Sequence, residues 1–249
     1  MKVLVTGGSN GIGKAAAQKL GKKGHKVSIF DQEEPDFDVD FFQGDVRDEE
    51  RVEEVVDELE FDVLVNCAGF YELGSIEDME KEKVEKIFDT NVYGYLNFIR
   101  CSLPGLRENN GRIVNITSVA GRVSMPFFGV YCGSKHAMES ISDSIRREQD
   151  EVEVVIVEPG VVETGFNERA RKVLEKYIPD SFYSEKYKEI LREDGMDGIS
   201  ADQAAETVYK AITDENPRRR YQVPFRAKLI TWMSLLPHFV KDKVFEKVM

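Results

Sequence analysis

Short apolar runs alternate along this chain with longer stretches in which apolar residues recur every three or four positions. "KVLVT" (2–6) reads as a buried strand, and "GKAAAQKLGKKG" (13–24) as a helix that ends at glycine. "KVSIF" (26–30) predicts a second strand and "DVDFFQ" (38–43) a short third. In "DEERVEEVVDELE" (48–60), Val52, Val55, Val56 and Leu59 fall on one helical stripe. "FDVLVNCAG" (61–69) is a strand running into a glycine turn, and residues near 80 to 103 predict one long helix closed by Pro104 and Gly105. "GRIVNITS" (111–118) is a strand, residues near 130 to 149 a helix, and "VEVVIVEPG" (152–160) a strand broken by Pro159.

This is βαβαβ order, with strands apolar enough for burial on both faces. It predicts an α/β fold, a parallel sheet in a single domain with helices on both sides. After Gly160 the periodicity weakens. Residues near 161 to 200 are rich in charged and aromatic side chains and read as a long irregular lid at the C-terminal end of a strand. A strand is expected near Arg220–Val223, then two short amphipathic helices split at Pro237.

Composition narrows the function classes. The 249 residues carry a formal net charge of −12, which argues against a phosphate-binding footprint for nucleic acid. The tight basic run Arg218-Arg219-Arg220 reads as a solvated turn. Cys67, Cys101 and Cys132 are odd in number with no C-x-x-C pair, which fits neither a disulfide framework nor a zinc site and suits a reducing cytoplasm. His136 and His238 lack ligand-spaced partners, so no metal is expected. "MKVLVTGG" enters a strand at once, without an apolar h-region, and no apolar segment approaches ~20 residues. The expectation is a cytoplasmic protein with no spanning segment.

The loop "TGGSNGIG" (6–13) lies between the first strand and the first helix. Gly7, Gly11 and Gly13 let the backbone turn tightly, and the helix start, with Ser9, Asn10 and Ile12 around it, offers free N–H groups to a pyrophosphate. Asp31 follows the second strand, where a carboxylate accepts hydrogen bonds from both adenosine ribose hydroxyls and repels a 2′-phosphate. No Lys or Arg sits among Gly8, Ser9 and Asn10, and "QEEP" adds more acid after Asp31. NAD is therefore expected over NADP. In "GDVRD", Asp45 with Val46 could meet an adenine edge, or the segment could simply signal the helix cap at Asp48. Asn66, Ala68 and Gly69 of "NCAG" would let the backbone lie along a cofactor, the alternative being a tight strand-to-helix turn; Cys67 reads as a small buried residue.

"VYCGSKHA" places Tyr131 and Lys135 one helical turn apart, on one face. Either they are a surface aromatic and a cation, or they are a proton-transfer pair. Tyrosine alone, with a pKa of roughly 10, is a poor acid or base near neutrality, and a fixed ammonium lowers that value. Ser118 at a strand end and Asn91 inside an otherwise apolar helix add two unexpected polar groups.

Together these motifs resemble the short-chain dehydrogenase/reductase family, from Lys2 to about Thr164. The segments that carry the resemblance are "TGGSNGIG", "GDV", "NCAG", Asn91, Ser118, "YCGSK" and "PGVVET". The resemblance implies a Rossmann-like three-layer fold with a seven-stranded parallel sheet. It implies Tyr131 as acid/base and Ser118 as the donor to the substrate oxygen. Lys135 would bind the nicotinamide ribose and depress the tyrosine pKa, and Asn91 would hold a relay water. In "PGVVET", Pro159 and Gly160 lead to Val162 and Thr164, which would lie against the nicotinamide carboxamide. Two departures stand out: the cysteine in "NCAG", and a segment from Asp31 to Asp45 too short for the family's usual helix.

The expected activity is NAD(H)-dependent interconversion of a secondary alcohol and a ketone or aldehyde. An apolar substrate, steroid-, retinoid- or lipid-like, is favoured over a small polar or cyclic diol. A non-catalytic NAD-binding sensor is the reading from another class. The apolar set Leu229, Trp232, Met233, Leu236, Phe239, Val240 and Phe245, interleaved with lysines, allows three roles: a cover for the substrate mouth or a subunit contact, an interfacial membrane helix, or a plain core helix. A homodimer or homotetramer is expected from the resemblance, through helices near 84–103 and 131–149.

Overall fold

A computed structural model of the chain describes residues 1–163, 165–192, 198–224, 227–237, 239–240 and 242–243, with the side chains of 165–169, 230 and 233 outside the description. In chain order the elements are β1 (Lys2–Thr6), α1 (Gly11–Lys22), β2 (Lys26–Asp31), β3 (Asp40–Gln43), α2 (Glu49–Glu58), β4 (Val63–Asn66), α3 (Lys81–Phe88) and α4 (Gly94–Glu108). There follow β5 (Arg112–Ile116), α5 (Gly129–Glu148), β6 (Glu153–Pro159), β7 (Val162–Glu163), α6 (Gly165–Tyr177), α7 (Ser184–Arg192), β8 (Ile199–Ser200), α8 (Ala201–Thr213), β9 (Arg220–Val223) and α9 (Ala227–Met233).

Seven strands form one parallel sheet in the order β3-β2-β1-β4-β5-β6-β9. Alternate residues serve opposite faces, as the strand period requires. Val3, Val5, Val65, Val114 and Val157 pack with Ala16 and Leu20 of α1 and Val208 and Ala211 of α8. Leu4, Leu64, Ile113 and Val154 pack with Val52 of α2, Phe98 of α4 and Met138 of α5. Burial on both faces is why these strands read as near-continuous apolar runs. The chain reverses direction across the sheet between β1 and β4, and the crevice at that switch point is where open α/β sheets bind ligands.

Two expectations need correction. The long helix near 80–103 is instead α3, a π turn over Asp89–Tyr93, and α4, which continues through Pro104. Proline is tolerated there because the carbonyl that loses its donor, that of Arg100, belongs to an exposed residue and can be solvated. The helix ends at Glu108 with Asn109 as its cap, and the next residue, Asn110, takes φ +48°, a left-handed setting that suits asparagine. Second, the segment 161–200 is largely helical rather than irregular. Its helices show little apolar stripe: α7 buries only Tyr187, so periodicity had almost nothing to register. The third strand is short, as expected: β3 is four residues long.

The pattern reading above also leaves α8 unmarked, although Ser200 and Gln203 form a reciprocal capping box at its start. Of the C-terminal expectations, β9 and α9 are present. The helix expected after Pro237 falls on residues only partly described, and Phe245 and His238 lie outside them.

Candidate active site

At the switch point the glycine loop touches the end of β4. Gly7 has φ +66°, and a Cβ on it would stand 2.7 Å from the Ala68 Cα. A Cβ on Gly13 would lie 2.1 Å from the Gly7 carbonyl oxygen, so this crossing admits only glycine. Thr6 Oγ1 accepts from the amides of Cys67 (3.1 Å) and Ala68 (3.2 Å), pinning "NCAG" beside the loop. Asn66 donates to Asn115 across the paired strands at 2.9 Å, and Asn115 to Ser142 at 2.8 Å. Burial pushes the Cys67 thiol up to about 12, so it is an inert wall residue.

Asn10 stands at the cap of α1, yet its side chain makes no cap bond. It donates to Glu33 Oε2 at 2.8 Å instead, and no acid lies in the first turn of α1. The N-terminal N–H groups therefore lack a side-chain cap, the arrangement that accepts an anion. Ser9 N donates to Asp31 Oδ2 at 2.9 Å and Glu33 N to Asp31 Oδ1 at 3.1 Å. A carboxylate has about four acceptor positions, so Asp31 keeps capacity for two ribose hydroxyls. Ile12 packs with Val162, joining the loop to the segment after β6. These residues fit a dinucleotide.

Asp45 is paired with Arg47. Its Oδ1 accepts from Arg47 N and Nε, each at 3.0 Å, and its Oδ2 from Arg47 Nη2 at 2.5 Å. Burial acts to raise its pKa, but Arg47 outweighs this and holds the carboxyl below its usual range. The Val46 carbonyl accepts from Asn97 at 3.0 Å, and Asp48 is the cap of α2, accepting from Arg51 N. The helix start expected in "GDVRD" is present at Asp48.

The proton-transfer residues meet at the C-terminal ends of β5 and β6. Ser118 donates to the Pro159 carbonyl at 3.3 Å, accepts from Ala120 N at 3.1 Å and hydrogen-bonds the Tyr131 phenol. One turn along α5, Lys135 is 5% exposed, with Nζ 5.8 Å from the Tyr131 ring centre. That Nζ donates to the Ile116 carbonyl at 3.1 Å and to Tyr95 Oη at 3.4 Å. Gly69 leaves the space between Asn91 and Lys135: a Cβ there would lie 3.0 Å from Asn91 Oδ1 and 3.7 Å from Lys135 Nζ. Asn91 itself clasps Phe70, accepting from its N–H at 3.0 Å and donating to its carbonyl at 2.9 Å, and also donates to Ser134. It sits in the π turn, a distortion that recurs at functional sites. Thr164 lies outside the described residues.

The expected depression of the tyrosine pKa is not met in this arrangement. Burial pushes Tyr131 above its ordinary value and outweighs the Ser118 hydrogen bond that lowers it. Burial also brings Lys135 down to about 8. An unfolded lysine keeps its proton to roughly 10.4, so between these values the folded state binds fewer protons and stability rises with pH. Lys135→Met removes that component. Thermal melts should show the variant's advantage over wild type shrinking as pH rises from about 8 to 10; a constant difference would contradict it.

Beneath Ser118 lies a buried acidic pair. Glu139 accepts from Thr117 at 2.6 Å and from Arg220 Nη2 at 3.0 Å. Glu158, fully buried, accepts from Gln222 at 2.6 Å, while its Oε1 is 3.4 Å from Arg220 Nε without a hydrogen bond. Burial, then Glu139, raises the Glu158 pKa. Removing the cation that such a group faces costs about 3–5 kcal/mol, so Arg220→Met should lower the melting midpoint sharply. The raised pKa means stability is lost as pH climbs through it. Glu158→Gln should therefore gain on wild type as pH rises above about 4.3.

Over Tyr131 stands a wall of rings. Tyr71 lies 5.1 Å from Tyr131 and 5.6 Å from Phe128, centre to centre. Phe127 lies 5.5 Å from Tyr183 and 5.2 Å from Tyr187. Phe127 has φ +63°, a strained setting for a bulky residue; its carbonyl accepts from Gly74 N at 2.9 Å. Asp78 locks the wall, accepting from Ser75, Ser181 and Tyr187. Spacing gives no sign of these lid contacts. The polar Asn66 and Asn115, each in an otherwise apolar strand, were the visible signal for the relay that ends at Ser142.

A family model described as short chain dehydrogenase matches residues 1–175. The chain belongs to the short-chain dehydrogenase/reductase family. Members of this oxidoreductase family bind NAD(P). The NADPH-dependent 3-dehydrocapnine reductase of Ornithobacterium rhinotracheale is 30% identical, covering 98% of this chain and 95% of its own. The 3-ketodihydrosphingosine reductase of Bacteroides thetaiotaomicron is 29% identical, covering 97% and 91%. A Burkholderia phymatum short-chain dehydrogenase/reductase solved in complex with NAD superposes with TM-score 0.74 at 25% identity, covering 92% of this chain and 91% of its own.

Proposed function

We propose that this member of the family is an NAD(H)-dependent oxidoreductase that interconverts a secondary alcohol and a ketone or aldehyde on an apolar, lipid-like substrate, acting as one domain over residues 1–249. The wall of rings against Tyr131 carries the substrate class, because stacked aromatic faces recognise apolar surface and offer few partners to a polyol. Two relatives named for lipid-type ketones or their dehydro forms support it.

The dinucleotide, when bound, supplies or accepts a hydride. The uncapped start of α1 would hold its pyrophosphate, Asp31 its adenosine ribose and Lys135 its second ribose. Ser118 would orient the substrate oxygen, and Tyr131 would exchange the proton at that oxygen. NAD over NADP rests on Asp31 with Glu33 beside it, even though one relative is named for NADPH.

The test is a ladder of methyl ketones of rising chain length with NADH. Each methylene buried contributes about 0.8 kcal/mol, so kcat/KM should climb roughly fourfold per carbon until the wall is filled. A flat ladder, with turnover on polyols instead, would overturn the substrate assignment.

A further inference from the structure

Among the described residues, the segment after β9 presents an exposed apolar face. Ala227 (1% exposed) and Thr231 (6%) anchor α9 against the body of the protein. The other side turns outward: Leu229 is 73% exposed, Trp232 71%, Leu235 79% and Phe239 67%. Large apolar groups clustered in this way mark an interaction surface. α9 packs on β9 and on the short turn that follows Ser118, which places the helix near the candidate site.

The charge of the sequence from residue 224 onward is opposite to that of the chain as a whole. Residues 224–249 hold five basic side chains, Arg226, Lys228, Lys241, Lys243 and Lys247, against Asp242 and Glu246, in a protein of net charge −12. A second copy docked symmetrically would set this basic segment against itself. An anionic lipid surface complements it, and Trp, Leu and Phe flanked by lysines is the composition that settles at a bilayer interface. We propose that the face carrying Leu229, Trp232, Leu235 and Phe239 docks the protein on an anionic membrane surface, with these four side chains entering the headgroup region.

Trp232 is the chain's one tryptophan, so its emission reports on this face alone. The experiment titrates the full-length protein with phosphatidylcholine vesicles, with and without phosphatidylserine, and follows Trp232 emission and co-flotation. Docking predicts a blue shift and flotation with the anionic vesicles, about tenfold or more above phosphatidylcholine alone and reduced at high salt. The double variant Leu229→Glu/Leu235→Glu should lose both while still binding NADH. No flotation with either vesicle would overturn the proposal. So would a blue shift that follows protein concentration without lipid, together with a doubled mass, because a second copy would then cover the face. These readouts need no substrate, so failure of docking and failure of the apolar-carbonyl reading are distinguishable.

Discussion

Tyr131→Phe should lower turnover by about 10²–10⁴-fold while NADH binding changes little. The substitution removes one hydroxyl and keeps the ring, so the contacts with Tyr71 and Lys135 survive. It removes the hydroxyl whose pKa Ser118 lowers and which, in the proposed reaction, would exchange a proton with the substrate oxygen. Single-turnover NADH oxidation beside a binding titration separates the two effects. A variant that turns over at the wild-type rate would remove Tyr131 from the chemistry, whatever the family pattern implies.

Asp31→Ala should weaken NADH by about 10–150-fold, the equivalent of roughly 1.5–3 kcal/mol for hydrogen bonds to a charged group, and should weaken NADPH far less. Asp31 also braces the loop through Ser9 N and Glu33 N. Loosening of the loop would penalise both dinucleotides alike, whereas loss of the carboxylate's charge acts on the 2′-phosphate alone. The NADH:NADPH affinity ratio therefore isolates the discrimination. An unchanged ratio would show that Asp31 does not read the ribose.

Much of this was legible in the chain because it depends on short-range constraints. The inner strands are built mainly of apolar runs, such as Val3–Val5, Val63–Val65 and Val154–Val157, since both faces are covered, and the sequence shows that directly. The glycine loop is visible because Gly7 and Gly13 meet in a crossing no side chain fits. What stayed hidden depends on tertiary context. The π turn keeps helical periodicity on either side, so nothing marks it but an odd asparagine. The helices α6 and α7 bury little, and Asp78 joins residues more than a hundred positions apart. The direction of the Tyr131 pKa was expected from its spacing to Lys135, yet burial pushes it upward, and no local spacing encodes burial.

The most direct test of the central claim is NADH consumption by the purified protein with a long-chain ketone, run beside Tyr131→Phe and beside NADPH. The account predicts saturable turnover with NADH, slower turnover with NADPH, and almost none in the variant. NADH binding without consumption of any apolar ketone or formation of one from its alcohol would contradict it.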